Sequence, residues 1–305
     1  MPGLKRPPAT GSDQVAGAAS VARRAAVLGS PVAHSLSPAL HRAAYRELHL
    51  AGWSYDAIEC DEQGLPALLD SLGPEWAGLS LTMPLKRAVL PLLDYTEPLA
   101  AEVGAANTVV FTDGRRRGFN TDVGGIVTAL SEACVTPEGN VVILGNGATA
   151  CSALAALRQL GATDVAVAVR SPGRAEPLLA VAGRLGVRVR LIALDADLAS
   201  QRWQLLVSTI PAAAAERTAA QLSAGALTAA AVLDVGYDPW PTALAAAAAK
   251  AGSSVISGYE MLVHQAAGQV ELVTGLQAPA GVMHAAGLAE LARRRGISDG
   301  SAMLR

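Results

Sequence analysis

The chain has 305 residues, 51% hydrophobic, 16% charged and 4% aromatic, enough to bury one large core or two compact ones and too apolar for disorder over most of its length. Lys+Arg 24 against Asp+Glu 26 leave a formal net charge of -2, so the basic excess expected of a nucleic-acid binder is missing. No uninterrupted run of apolar residues is long enough to suggest a membrane-spanning helix.

Residues 1–23, rich in Pro, Gly, Ala and Ser, read as a disordered leader lacking the continuous apolar segment of a secretory signal. The apolar run 25–29, closed by Gly29, predicts a strand feeding a loop. Ser37 can cap a helix and Pro38 suits its first position, after which Ala39, Leu40, Ala43, Ala44 and Leu48 recur at helical spacing. Residues 53–58 alternate like a strand, 65–72 resemble a helix, and 78–82 form a strand running into Met83-Pro84. That β-α-β-α-β order predicts a parallel sheet covered by helices. The pattern restarts at a strand over 140–144, followed by glycines and an alanine-rich helix to about Leu160, with a boundary between the two α/β units near Gly124-Gly125. Further strands are expected at 164–169, 187–194, 205–208 and 232–235, and a helix between Thr242 and Gly252. From Glu260 onward Met261, Leu262, Ala266, Val270 and Leu272 keep helical spacing, and 298–305 read as a frayed tail.

Gly145-Asn146-Gly147-Ala148-Thr149-Ala150 follows a strand and opens a helix, which is G-x-G-x-x-A in the context that binds dinucleotides. Unpaired N–H groups and the positive dipole end of that helix hold an anion without a lysine. At the end of the second strand, where an NAD site places Asp or Glu for the ribose hydroxyls, stand Val169, Arg170, Ser171 and Arg174. A guanidinium can bind a 2′-phosphate bidentately, so NADP is favoured over NAD. Cys60, Cys134 and Cys151 are distant and odd in number, without paired metal spacing; they are expected to be buried thiols in a reducing, cytoplasmic compartment. No carboxylate–histidine cluster is visible along the chain, so no metal is expected.

Four polar clusters stand in apolar surroundings: His34 to Pro38, Ser80 to Lys86, Gly104 to Thr108 and Gly118 to Asp122. Ser35 and Ser37, two apart in an extended segment, would point the same way, and Lys86 falls just beyond a strand end. Such groups can converge on a polyhydroxylated small molecule.

With these residues the sequence resembles the shikimate dehydrogenase family, from about Val27 to Gly275. The resemblance rests on His34-Ser-Leu-Ser-Pro38, Thr82-Met-Pro-Leu-Lys86, Gly104-Ala-Ala-Asn-Thr108, Asn120-Thr-Asp122, Gly145-Asn-Gly147, Asp234-Val-Gly-Tyr-Asp-Pro239 with Thr242, and Gly258-Tyr-Glu-Met-Leu-Val-His-Gln265. Ser80 stands where many relatives have asparagine, Ala148 where a further glycine is usual, and Val169 where Asn commonly precedes Arg.

The resemblance implies an α/β chain of two domains, an N-terminal substrate domain over 24–123 and a C-terminal Rossmann domain over 124–259 for NADP. If Gln265 reaches the substrate, the C-terminal helices return, so 260–297 would complete the first domain. It implies NADPH-dependent reduction of 3-dehydroshikimate to shikimate, with Lys86 and Asp122 as catalytic pair. Ser35, Ser37 and Tyr237 would bind the substrate carboxylate, and Thr82, Lys86, Asn107, Asp122 and Gln265 the ring hydroxyls. Gly145, Asn146, Gly147, Ala148 and Thr149, with Arg170, Ser171 and Arg174, would carry the NADP phosphates, and the Gly258 backbone would lie near the nicotinamide. A monomer or homodimer with no nucleic-acid or membrane partner is expected. The alternatives are an NAD-dependent quinate/shikimate dehydrogenase, which the two serines and Arg170 disfavour, and a ligand-sensing relative without turnover, which intact Lys86 and Asp122 disfavour.

Overall fold

The computed structural model describes residues 22–194 and 197–296. All of the expected leader but its last two residues, and the whole of the expected tail at 298–305, lie outside the described residues.

The first unit runs β1 (Arg23–Gly29), α1 (Ser37–Glu47), β2 (Trp53–Glu59), α2 (Leu65–Asp70), β3 (Trp76–Leu81), α3 (Leu85–Ala88), β4 (Tyr95–Thr96), α4 (Pro98–Val103), β5 (Thr108–Thr112), β6 (Arg115–Phe119) and α5 (Asp122–Glu132). Its sheet has the order β2-β1-β3-β5-β6-β4. Strands β2, β1 and β3 are parallel, as expected from the alternating pattern, and β3 is buried along its whole length, as a strand covered on both faces must be. The rest of the sheet corrects the parallel expectation. β5 pairs antiparallel with β3 and β6, and the β5–β6 hairpin turns on Asp113 and Gly114, both at positive φ. Asp-Gly is a favoured hairpin turn because its backbone twist matches that of the flanking strands.

The second unit runs β7 (Val141–Leu144), α6 (Ala148–Gln159), β8 (Asp164–Val169), α7 (Glu176–Leu185), β9 (Arg188–Ala193), β10 (Arg202–Ser208), α8 (Ala212–Ser223), β11 (Thr228–Asp234), α9 (Ala243–Lys250) and β12 (Ser254–Ser257). Its order, β12-β11-β10-β7-β8-β9, is parallel throughout and reverses direction between β7 and β10. Small and branched apolar residues fill both faces: Val141, Ile143, Val165 and Val167 face one core, Val142, Leu144, Ala166 and Leu206 the other.

Two helices close the chain, α10 (Gly258–Thr274) and α11 (Ala280–Arg295). α10 packs on α5, α1 and β3, and α11 packs on α1 and α10, so both lie against the first unit. Leu36, Leu40, Tyr259, Val263, Val270, Met283 and Leu291 form the core that joins them. No helix among the described residues is long and apolar enough to cross a membrane.

Candidate active site

In open α/β sheets the crevice lies beyond the strand carboxyl ends where strand order reverses, and each unit has such a point. In the first, β1 and β3 run side by side with Val27 opposite Ser80 and Leu28 opposite Leu81. The segments leaving them carry Ser35 and Ser37 on one side and Thr82 and Lys86 on the other. These residues line a cavity of about 260 Å³ together with Ser80, Asp122, Tyr237, Gln265 and Gln269, and with Thr149, Val235 and Gly258 from the second unit or its edge. Ser37 corrects an expectation. It is the first residue of α1 and makes no cap; the Ser35 hydroxyl accepts its backbone N–H at 3.2 Å instead. The hydroxyls therefore reach one cavity from a turn and a helix start, not from an extended segment.

The Lys86 ammonium lies 2.5 Å from Asp122 Oδ2, with side chains 15% and 3% exposed. Asp122 is held in turn by Asn107, whose Nδ2 donates to Asp122 Oδ1 at 2.9 Å and to Gln265 Oε1 at 3.2 Å. Asn107 Oδ1 accepts the Thr121 backbone N–H at 2.8 Å. Asn107 is 1% exposed and is not among the residues lining the cavity, so it orients Asp122 and Gln265 from behind.

Behind the same wall lies a second network. Tyr55 donates to Ser80 Oγ at 2.6 Å, Ser80 Oγ donates to Gln269 Oε1 at 2.8 Å, and Gln269 Nε2 donates to the Asn107 carbonyl at 3.3 Å. Burial pushes the Tyr55 hydroxyl far above its ordinary range, which keeps it a donor. His41 stacks on Tyr55 with ring centroids 3.9 Å apart, and its Nδ1 lies 2.9 Å from the Ser37 carbonyl, which can only accept. Burial pushes His41 down from 6.5 to about 4, outweighing the bond to Ser37. Above pH 6.5 the ring is neutral in both folded and unfolded chains; below it the unfolded chain takes up a proton that the folded one refuses until about pH 4. Stability should therefore fall on acidification through that window, by about 2 kcal/mol at pH 5 relative to neutrality. Urea melts at several pH values check this, and His41→Asn should flatten that part of the slope.

The cofactor end is a second cavity of about 460 Å³ lined by Gly145, Asn146, Arg170, Ser171, Arg174 and Ile210. Gly145 holds φ +105, a region closed to most side chains, so the chain can turn sharply from β7 into α6. Gly147 caps α6 and Ala148 is its first residue, so the open N–H groups of that turn lie between the two cavities. Arg170, Ser171 and Arg174 are all exposed at the end of β8, and among the described residues no carboxylate lines this cavity. The donor set suits a dinucleotide with an additional phosphate on its ribose.

Residues 27–109 match the family model described as the shikimate dehydrogenase substrate binding domain, and residues 258–286 that of the shikimate 5'-dehydrogenase C-terminal domain. The chain is 38% identical over 272 residues to a shikimate dehydrogenase (NADP(+)) of Thermus thermophilus, covering 89% of this chain and 98% of that relative. The chain belongs to the shikimate dehydrogenase family. Among solved structures, Mycobacterium tuberculosis shikimate dehydrogenase superposes with a TM-score of 0.78 at 46% identity, covering 88% of this chain and 99% of that one. A Thermus thermophilus shikimate 5-dehydrogenase in complex with NADP(H) and shikimate superposes with a TM-score of 0.74 at 33% identity, covering 90% and 100%.

Several residues of this shikimate dehydrogenase fold line or brace the site without a role assigned to them from sequence, Ser80 having been marked only as a polar residue where relatives carry asparagine. Gln269 follows Gln265 by one helical turn and could have been found from that spacing. Ser80 shares a strand face with Thr82. Arg87 reaches across the cleft to Asn146 O at 3.4 Å and Cys151 Sγ at 3.3 Å, and nothing in its neighbours signalled this. Arg294 and Arg295 end α11 and carried no signal either. Arg294 donates to the carbonyls of His34 at 2.8 Å and Ser35 at 3.0 Å, while Arg295 holds the Trp240 carbonyl at 3.0 Å and Asp238 Oδ1 at 2.9 Å. One helix end thus fixes the loop bearing Ser35 and the loop bearing Tyr237. Arg294→Ala should raise KM for shikimate roughly tenfold and leave kcat nearly unchanged, because two charge-assisted bonds that place Ser35 are lost while the Lys86–Asp122 pair is untouched. Steady-state kinetics at saturating NADP separate the two constants.

Proposed function

We propose that this chain reduces the ring ketone of 3-dehydroshikimate with NADPH, reversibly forming shikimate on the way to aromatic amino acids, with Lys86 and Asp122 as the catalytic pair. The observation that carries the reading is the 2.5 Å contact between these two side chains in the wall of a cavity that Thr149 and Gly258 also line. Bound NADPH supplies the hydride. As negative charge builds on the ketone oxygen, the Lys86 ammonium stabilises it and delivers the proton that completes the alcohol. Asp122, kept in place by Asn107, orients the ammonium and accepts a hydrogen bond from a ring hydroxyl. In the reverse direction Lys86 takes the proton from the shikimate hydroxyl.

Ser35, Ser37 and Tyr237 hold the substrate carboxylate, and Thr82 and Gln265 the remaining hydroxyls; Asn107 acts through Asp122 and Gln265. The turn from Gly145 to Thr149 cradles the pyrophosphate, Arg170, Ser171 and Arg174 take the 2′-phosphate, and the Gly258 backbone borders the nicotinamide. Residues 24–123 with 260–297 then act as the substrate domain and 124–259 as the cofactor domain. The three free cysteines fit a reducing cytoplasm, and the reaction needs no more than one copy of the chain, as monomer or homodimer.

Shikimate-dependent reduction of NADP by the purified protein tests the proposal, with quinate and NAD run in parallel. Turnover should be fastest with shikimate and NADP. Absence of any reduction would support a ligand-sensing role, and faster turnover of quinate with NAD would support the alternative dehydrogenase.

A further inference from the structure

The sequence shows no carboxylate–histidine cluster, yet the fold assembles one from residues that do not line the cavity. One donor atom each from Glu132, Glu260 and His264 lie within 4.8 Å of one another. His264 Nε2 is 2.9 Å from Glu132 Oε2, and a second imidazole adjoins, with His284 Nε2 3.2 Å from Glu260 Oε1. Glu132 ends α5, Glu260 and His264 are one turn apart in α10, and His284 belongs to α11, so three helices contribute.

We propose that Glu132, Glu260 and His264, with a water as fourth ligand and His284 steadying Glu260 from α11, form a binding site for one divalent transition cation of the Zn2+ class. Donors on a tetrahedral Zn2+ with bonds of 2.0–2.1 Å are about 3.3 Å apart, and the separations above bracket that value, so small side-chain shifts close the site. The two carboxylates match a dication in charge. Among the described residues neither carboxylate has a lysine or arginine ion-pair partner; each meets only a histidine. The side chains of Glu132 and His264 are 60% and 17% exposed, which leaves an ion a way in while the imidazole is held by its surroundings. One imidazole nitrogen and two carboxylate oxygens suit Zn2+ or Co2+; Mg2+ and Ca2+ call for six or more oxygens. A bound ion would pin the end of α5 to the start of α10, the helices that lead from the first unit into the second and back.

The test uses full-length protein stripped with a chelator, titrated with Zn2+ by calorimetry and with Co2+ by visible absorption. One ion per chain should bind with micromolar affinity, raise Tm by several degrees, and give the intense Co2+ bands of a four-coordinate site. Glu132→Ala and His264→Ala should each weaken Zn2+ binding roughly tenfold or more and abolish the Tm rise, while both keep the metal-free rate of NADP reduction. That rate serves as the folding control, and if one variant loses it the other decides. Absence of saturable one-to-one binding, unchanged affinity in the correctly folded variant, or equal competition by Mg2+ would overturn the proposal.

Discussion

Replacing Lys86 with alanine is expected to lower kcat roughly 10²–10⁴-fold in both directions while KM for shikimate moves by under about tenfold. The asymmetry follows from where the charge is. Ketone and alcohol are neutral in the ground state, so an ammonium beside them matters most when an alkoxide is forming. The same substitution carries a structural cost. Asp122 is 3% exposed and keeps Asn107 as a donor but loses its counter-charge, which costs about 1–3 kcal/mol in a site still open on the cleft side. Lys86→Ala should therefore lose both rate and Tm. Adding Asp122→Asn removes the stranded charge, so the double variant should regain much of the Tm and none of the rate. Thermal melts and steady-state kinetics on the two variants separate chemistry from folding. Near-normal turnover of Lys86→Ala would remove the lysine from the mechanism.

What could be read in advance follows a physical division. Strands buried on both faces, such as β7, are continuous apolar runs, and the glycine turn sits between that strand and a helix, so five strands of the second sheet and the cofactor turn were legible, while the short edge strand β12, flanked by serines at both ends, was not. The β5–β6 hairpin was not: Arg115, Arg116 and Arg117 mask the strand as a solvated stretch, although Asp113-Gly114 was a turn signal that could have been used. Strand β1 begins at Arg23, two residues before the apolar run that marked it, because Arg23 and Arg24 pair with β2 from the surface end. Cys134 was expected to be buried and is exposed, since it follows the last turn of α5 at φ 53, in the turn that ends that helix. Cys60 and Cys151 are buried as expected. In the candidate site the motifs located most residues that line the cavity, and Asn107 behind them, but missed Gln269 and most of the residues that hold the lining. Tyr55, His41 and the arginines of α11 are separated in sequence from their partners, and local patterns carry no information about such pairings. The carboxylate–histidine cluster was missed for the same reason, with Glu132 and His264 on different helices.

Gly258→Ala is expected to be the most damaging single methyl addition in the cleft. A Cβ there would lie 2.2 Å from the Val235 carbonyl oxygen, 2.3 Å from its carbon and 2.6 Å from its Cα. All three atoms are backbone, in the segment leaving β11, so no side chain can swing aside. Gly258 is the first residue of α10, capped by the Ser257 hydroxyl that accepts the Tyr259 N–H at 3.1 Å. Relief requires pushing α10 away from β11, which breaks that cap or opens the core around Tyr259. A cost of about 3 kcal/mol follows, or a Tm loss of roughly 5 °C for a chain of this size, with a raised KM for NADP if, as proposed, the displaced backbone borders the nicotinamide. Gly147→Ala is the control: its Cβ would meet nothing within 4 Å in the free protein, so Tm should hold while NADP binding weakens where the turn must approach the pyrophosphate. Melting both variants without cofactor, then measuring KM for NADP, distinguishes a glycine needed for packing from one needed for the ligand. An unchanged Tm in Gly258→Ala would mean that α10 can leave β11 at no cost, and the return of this helix from the second sheet to the substrate wall would then not depend on that contact.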